Sequence, residues 1–210
     1  MLWLRSAALA NTSPTRGNGL LESFLARQRA RMANKLIPAD LRDGRVLDVG
    51  CGSYPTFLTT TRFAERYGVD RLLSSSTIDL LRQDSVQLQA YDADRDDRLP
   101  FAEDFFDVVT MLAVYEHLAE DRLKMLLRDI RRVLRPRGLF VITTPAHWTD
   151  PLLSLMSSVS LISSEELDEH KRSHRHEEIR PLLEEAGFPR AGLRMGYFEA
   201  RMNIWVAAEK

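Results

Sequence analysis

The chain has little cysteine, no excess of charge of either sign and no long hydrophobic run among its 210 residues. Its single cysteine, Cys51, excludes an internal disulfide framework and suits a reducing compartment. A formal net charge of -1 excludes a global attraction to nucleic acid, although a local basic face remains compatible with it. The apolar stretch at residues 1–10 is interrupted by Arg5 and is too short to cross a bilayer. We therefore interpret residues 1–19 as the flexible N-terminus of a cytoplasmic protein.

Short apolar runs alternate with helical patterns over most of the sequence. Apolar spacing predicts helices at residues 20–37, at 123–134 with a stop at Pro136, and at 177–186. Apolar runs predict strands at 46–49, 67–69, 86–91, 108–112 and 139–143, and a closing hairpin from 193–198 and 203–208. Because the strands are almost continuously apolar, this alternation predicts an α/β fold whose parallel sheet is covered by helices on both faces.

The stretch VLDVGCGSYP, residues 46–55, comprises the first predicted strand and the glycine turn that follows it. Gly50 and Gly52 allow the backbone to approach a ligand closely, because no side chain intervenes. A dinucleotide-binding turn would carry a third glycine where Pro55 stands. Asp48 would repel a pyrophosphate, whereas it would favour a cationic ligand. For this motif alone, a strand-to-helix turn that merely requires glycines remains an alternative.

Two further acids follow the next predicted strands. Asp70 lies about twenty residues past the glycine turn, the spacing at which an acid reaches a ribose diol. Asp92 follows the third strand and is succeeded by Ala93 and Asp94. Because parallel strands end at one edge of a sheet, Asp48, Asp70 and Asp92 are predicted to line one site. A solvated loop aspartate is the alternative interpretation of Asp70.

Several short motifs occur in order along the chain. They are Asp48-Val-Gly-Cys-Gly52, Asp70, Asp92-Ala93, Leu99-Pro-Phe101, Phe106-Asp-Val-Val109, Glu116-His-Leu118, Arg132-Val-Leu-Arg-Pro-Arg-Gly138 and Glu184-Glu-Ala-Gly-Phe188. Their order and spacing resemble those of the class I methyltransferases that use S-adenosylmethionine. The resemblance implies a Rossmann-like, doubly wound, seven-stranded sheet that is mostly parallel with an antiparallel last strand and has helices on both faces. It also implies an N-terminal helix at 20–43 that covers the cofactor site, and a methyltransferase domain at 44–210.

The resemblance implies a set of residues around the cofactor, S-adenosylmethionine. They are Asp48, Gly50, Cys51, Gly52, Asp70, Asp92, Ala93, Ala113 and Val114. The first four would line the methionine and ribose part, with Cys51 a small turn residue and no nucleophile. Asp70 would hold the ribose hydroxyls, and Asp92 with the backbone of Ala93 would contact adenine. Ala113 and Val114 would border the sulfonium.

The sequence also departs from the family pattern. The third glycine of the family falls at Tyr54, whose role stays open. The acidic run at residues 92–97 leaves open whether Asp92 or Asp94 contacts adenine. Some relatives bind a divalent metal through a Glu-x-x-Glu-His pattern, but Ala113 replaces its first glutamate, so we predict no metal.

His117, which follows the fourth predicted strand, is the candidate general base, with a helix-capping or core histidine as the alternative. Residues 145–176 do not fit a simple crossover, and we predict a lid or substrate region there. His147 and Trp148 follow the fifth strand, where this fold usually has its acceptor pocket. His170 belongs to a histidine cluster flanked by basic residues, which suits a substrate-facing segment and not a metal site.

Three functional hypotheses follow. The first is S-adenosylmethionine-dependent O- or N-methylation of a small-molecule acceptor, such as a glycan or lipid-linked intermediate, with no nucleic acid partner and no membrane span. The second is a non-catalytic module that binds S-adenosylmethionine. The third, an NAD-dependent oxidoreductase, is opposed by Asp48 and by Pro55 in place of the final glycine.

Overall fold

A computed structural model of the protein describes residues 20–146 and 176–210. The predicted flexible segment at 1–19 and most of the predicted lid therefore lie outside the described residues. The same holds for His147, Trp148 and His170, the three residues predicted to face the acceptor.

The described chain forms one sheet of seven strands with helices around it. The strands are β1 (Arg45–Val49), β2 (Glu65–Asp70), β3 (Val86–Ala90), β4 (Phe106–Leu112), β5 (Leu134–Pro145), β6 (Leu193–Phe198) and β7 (Asn203–Glu209). The helices in the described part are α1 (Leu20–Leu36), α2 (Thr56–Thr60), α3 (Ser75–Arg82), α4 (Glu120–Val133) and α5 (His176–Glu185).

The strand order is β3-β2-β1-β4-β5-β7-β6. Strands β1 to β5 pair in parallel, and β7 runs antiparallel between β5 and β6. This topology confirms the predicted α/β fold with an antiparallel last strand. The strand order reverses between β1 and β4, which places the crevice for a ligand at their carboxyl ends.

Two apolar layers cover the two faces of the sheet. Phe140 and Ile142 of β5 pack in one layer with Leu127 of α4, whereas Val141 between them packs in the other with Ala30 of α1. Successive side chains of a strand point to opposite faces, so a strand buried on both faces is apolar at nearly every position. This requirement explains why the apolar runs predicted the strands so well.

The end of α4 was predicted too late. The helix stops at Val133, and β5 begins at Leu134, before Pro136. A residue that precedes proline is restricted to extended conformations, so Arg135 cannot remain helical. The main chain is already extended at Leu134, which pairs with Phe106 of β4.

Candidate active site

The glycine turn after β1 requires its glycines. Gly50 and Gly52 have φ angles of 73° and 76°, in the left-handed region that favours glycine. A Cβ atom added to Gly50 would lie 2.3 Å from Cγ2 of Val114. The turn and the loop after β4 are therefore in close contact at the edge where β1 and β4 end.

The backbone N–H groups of this turn are bonded within the protein. Those of Gly50 and Cys51 donate to the carbonyl oxygen of Val69, at 2.8 and 3.2 Å. The N–H of Gly52 donates to Oδ2 of Asp70 at 2.9 Å. A phosphate-binding turn directs such donors at its ligand, whereas these N–H groups donate to residues at the end of β2. The geometry opposes a pyrophosphate ligand at this turn.

Asp70 is held by main-chain donors on both of its carboxylate oxygens. Oδ1 accepts from the N–H of Leu72 at 2.7 Å, and Oδ2 accepts from Gly52. Each carboxylate oxygen has capacity for a second hydrogen bond. The carboxylate is thus fixed in orientation and still able to accept from a ligand hydroxyl.

Asp48 lies beneath the turn and is 3% exposed. Burial raises the pKa of its carboxyl to about 7, against the effect of the Thr110 hydroxyl, which donates to Oδ1 at 2.6 Å; the charge of Asp70 adds to the increase. A cation bound nearby would favour the ionised form of Asp48. Burial also raises the pKa of the Cys51 thiol well above its usual value, with the charges of Asp48 and Asp70 acting in the same direction. The thiol is therefore a neutral part of the turn.

The acidic loop after β3 is folded on itself. The N–H of Asp92 donates to Oδ2 of Asp96 at 2.8 Å, and Oδ1 of Asp92 accepts from the N–H of Asp94 at 3.0 Å. Asp92 is half-buried, whereas Asp94 is exposed. The two acids that the sequence left as alternatives thus occupy different environments.

Arg122 of α4 binds this loop, a contact that sequence reasoning missed. Its Nε donates to the carbonyl oxygen of Ala93 at 3.0 Å, and its Nη2 donates to that of Asp96 at 2.5 Å. Its Nη1 lies 3.3 Å from the carboxylate of Asp97. No local pattern connects Arg122 to a loop so far away in sequence, so only the folded chain reveals the pair.

Replacing Arg122 with glutamine is expected to weaken binding of S-adenosylhomocysteine about tenfold, because the loop loses the three hydrogen bonds that the guanidinium donates to it. Isothermal titration calorimetry would measure the change. Arg128 provides the matched control, since it lies on the same helix and pairs with Glu185 away from the loop. Equal affinities for the Arg122→Gln and Arg128→Gln variants would contradict a role for Arg122 in shaping the site.

The loop after β4 begins with a strained residue. Ala113 has a φ of 57°, which costs a non-glycine residue energy, and its N–H donates to the carbonyl oxygen of Thr143 at 2.8 Å. Val114, the next residue, contacts the glycine turn. Both residues predicted to border the sulfonium therefore lie at the edge of the sheet where β1, β4 and β5 end.

Glu116 and His117 follow in a 3-10 turn, Tyr115–His117. Glu116 is 2% exposed and accepts a hydrogen bond from the Thr144 hydroxyl at 3.1 Å, which links the loop after β4 to the end of β5. His117 is half-buried, and its backbone N–H donates to the carbonyl oxygen of Val114 at 3.0 Å. The sequence motif indicated Glu116, but only the structure shows its partner.

Across residues 20–146 and 176–210, no three His, Cys, Asp or Glu side chains are grouped so that they could hold a metal ion. None of the helices in this part of the chain combines the length and the apolar character needed to cross a membrane.

The profile of the methyltransferase domain family matches residues 20–189. The chain belongs to this family. It is an S-adenosylmethionine-dependent methyltransferase, as the order of its motifs indicated. None of the curated proteins matches the chain.

Solved structures share the fold of this methyltransferase. An S-adenosylmethionine-dependent methyltransferase from Thermotoga maritima has a TM-score of 0.64 and 16% identity, over 89% of this chain and 92% of its own. One from Mesorhizobium loti has a TM-score of 0.64 and 16% identity, over 89% of this chain and 100% of its own. A TehB-like enzyme from Corynebacterium glutamicum has a TM-score of 0.56 and 18% identity, over 99% of this chain and 94% of its own.

The residues of the methyltransferase site fit S-adenosylmethionine. Glycine at position 50 lets the turn pack against Val114, since a Cβ there would lie 2.3 Å from Val114 Cγ2. Asp70 offers acceptor capacity for hydroxyls, and the buried Asp48 suits a nearby positive charge. Family membership also excludes the NAD-dependent oxidoreductase hypothesis.

Proposed function

We propose that this methyltransferase methylates an oxygen or nitrogen atom of a small-molecule acceptor in the cytoplasm. The observation that supports the site most strongly is the hydrogen bond from the N–H of Gly52 to the Asp70 carboxylate. It joins the acid that is proposed to bind the ribose to the glycine turn. When bound, S-adenosylmethionine supplies an electrophilic methyl group on a sulfonium. Methyl transfer is an in-line displacement, so the main task of the protein is to position the acceptor.

Each cofactor-binding residue has a proposed contact. Asp70 accepts from the ribose hydroxyls, and Asp92 is favoured over Asp94 for adenine because it is half-buried at the strand end. The backbone of Ala93 completes the adenine contact. The segment at 20–43, which contains α1 and a 3-10 turn at Ala39–Asp43, is proposed to cover this site from one face of the sheet.

Calorimetry tests this proposal. S-adenosylmethionine and S-adenosylhomocysteine are expected to bind at micromolar concentrations, about 1 to 100 μM in Kd, whereas NAD gives no heat of binding. Binding of NAD with no response to either sulfur compound would overturn the proposal. Transfer of labelled methyl groups to a panel of small hydroxyl and amine compounds then identifies the acceptor.

His117 is proposed to accept a proton from the acceptor. It lies on the loop after β4, next to the proposed sulfonium contacts Ala113 and Val114. An imidazole is well suited to proton transfer near neutral pH.

Replacing His117 with alanine is expected to lower turnover about 100-fold or more, the usual contribution of a general base. The affinity for S-adenosylhomocysteine should stay within about twofold of wild type, because the imidazole acts on the acceptor and not on the cofactor. Steady-state kinetics and calorimetry on the same preparations measure both values. Unchanged turnover would assign His117 to the structure of the loop.

A further inference from the structure

Buried polar atoms without a hydrogen-bond partner are concentrated near one end of the sheet. Among the described residues, these atoms include Arg29 Nε, Thr143 Oγ1 and Glu199 Oε1. Folded proteins pair nearly all buried polar groups, so an unpaired atom calls for an explanation such as a ligand. Arg29 Nε is a donor, Glu199 Oε1 is an acceptor, and the hydroxyl of Thr143 serves as either.

Two neighbouring strands bring this region together. Thr143 of β5 lies opposite Trp205 of β7, and Asn203 follows Trp205 on the same face, two residues towards the start of β7. Such diagonal neighbours are about 7–8 Å apart. Trp205 packs in the apolar layer that contains Ala30 of α1. Thr143 and Asn203 therefore lie on the face of the sheet that α1 covers, and Arg29 precedes Ala30 in that helix.

Glu199 lies in the turn between β6 and β7. Asn203 Nδ2 donates to its Oε2 at 2.6 Å, which leaves Oε1 unpaired. Burial raises the pKa of Glu199, whereas the positive charge of Arg29 and the bond from Asn203 lower it. Asn203, the hydrogen-bond partner of Glu199, lies on the face of the sheet that α1 covers, and Arg29 belongs to α1.

The turn that carries Glu199 is strained. Glu199, Ala200 and Arg201 have φ angles of 52°, 52° and 69°, although none of them is a glycine. Residues held in the left-handed region cost energy and are concentrated at functional sites. The fold maintains this conformation and with it the position of the Glu199 carboxylate.

This region adjoins the proposed methyl-transfer site. The N–H of Ala113 donates to Thr143, and the N–H of Ala146 donates to Met202, so the ends of β4, β5 and β7 lie side by side. Adjacent strands are about 4.8 Å apart, so β7 is about 10 Å from β4. A small molecule spans that distance.

We propose that Arg29, Thr143 and Glu199 bind hydroxyl groups of the methyl acceptor, which is a neutral, polyhydroxylated small molecule. The inference rests on the proposed function. A hydroxyl both donates and accepts, so one hydroxyl pairs with Glu199 Oε1 and Arg29 Nε together. The opposite charges of Arg29 and Glu199 offset each other, so the pair gives no net attraction to an anion or to a cation.

The variant Glu199→Gln separates this role from a structural one. Asn203 already donates to one oxygen of the side chain, so the amide oxygen of glutamine takes that place and its nitrogen faces Arg29. Arg29 Nε and the glutamine nitrogen are then both donors. A bound hydroxyl therefore no longer has the acceptor that Glu199 Oε1 provided. Glu209→Gln at the exposed end of β7 is the matched control.

The experiment uses full-length protein with S-adenosylhomocysteine and three probes: glycerol, acetate and ethylammonium. Crystals of wild type and of each variant are soaked with one probe at a time. We expect a glycerol hydroxyl within hydrogen-bond distance of both Arg29 Nε and Glu199 Oε1 in wild type and in Glu209→Gln, and none in Glu199→Gln. Acetate or ethylammonium at that position, or a water molecule that glycerol does not displace, would overturn the inference.

Two solution measurements complete the test. The melting temperature of Glu199→Gln at pH 8 is expected to equal or exceed that of wild type, because a buried carboxyl whose pKa is raised destabilises the fold when it ionises. A decrease of about 4 °C or more would show a structural Arg29–Glu199 pair and overturn the inference. Calorimetry should give the same affinity for S-adenosylhomocysteine in all three proteins, within about twofold. Absence of that binding in wild type would instead refute the proposed function, whatever glycerol does.

Discussion

Replacing Asp70 with alanine is expected to weaken binding of S-adenosylhomocysteine about 100-fold. The carboxylate is proposed to accept two hydroxyl hydrogen bonds from the ribose, and bonds to a charged group contribute about 1.5–3 kcal/mol each. The substitution also removes the acceptors for the N–H groups of Gly52 and Leu72. The glycine turn therefore loses its attachment to the end of β2 as well as its ligand contact. Calorimetry measures the affinity, and circular dichroism confirms that the fold persists.

Two further variants separate these two roles of Asp70. Asp70→Asn keeps one acceptor oxygen and the shape of the side chain, so its affinity should lie between those of wild type and Asp70→Ala. Asp79→Ala removes an exposed carboxylate on the neighbouring helix α3 and should leave the affinity unchanged. Wild-type affinity in Asp70→Ala would remove this residue from the ribose site.

Replacing Gly50 with alanine is expected to abolish detectable binding of S-adenosylhomocysteine and to lower the free energy of unfolding by about 2 kcal/mol. A residue held in the left-handed region costs on the order of 1–3 kcal/mol, and the new Cβ would lie 2.3 Å from Val114 Cγ2. The turn and the loop after β4 must separate, which disrupts the crevice between them. Calorimetry and urea denaturation measure the two effects.

The double variant Gly50→Ala/Val114→Ala checks the cause. Truncation of Val114 removes the overlap but leaves the strained φ, so it should restore part of the lost stability and not all of it. Gly192→Ala, remote from the site, serves as a control that should keep the affinity for S-adenosylhomocysteine. If Gly50→Ala binds S-adenosylhomocysteine with wild-type affinity, the prediction that the ligand lies close to the glycine turn is wrong.

The sheet could be predicted because burial on both faces imposes a pattern on the sequence. Strands such as β1 and β4 must be apolar on consecutive residues, and the runs at 46–49 and 108–112 fall inside them. The apolar runs at 193–198 and 203–208 predicted the terminal hairpin, which is observed as β6 and β7. The ends of helices and strands were harder to predict, since the end of α4 depends on the residue before Pro136 and not on the apolar stripe.

The glycine turn and its acids could be predicted in position but not in environment. The sequence indicated that Asp48 suits a cationic ligand, whereas the structure shows a buried carboxyl bonded to Thr110 with a raised pKa. Burial depends on the whole packed layer, which no short motif contains.

The long-range contacts could not be predicted at all. Arg122 reaches the acidic loop from the first turn of α4, and Glu199 accepts a hydrogen bond from Asn203 beside the sheet face that α1 covers. Each of these residues is typical of a solvated charge in its own sequence neighbourhood. Only the folded chain distinguishes them from the other surface charges.

A crystal structure of the complex with S-adenosylhomocysteine tests the central claim most directly. The account predicts ribose hydroxyls on the Asp70 carboxylate, adenine beside Asp92 and Ala93, and the sulfur next to Ala113 in the crevice between β1 and β4. A ligand bound elsewhere, or one bound in this crevice without contact to Asp70, would contradict it.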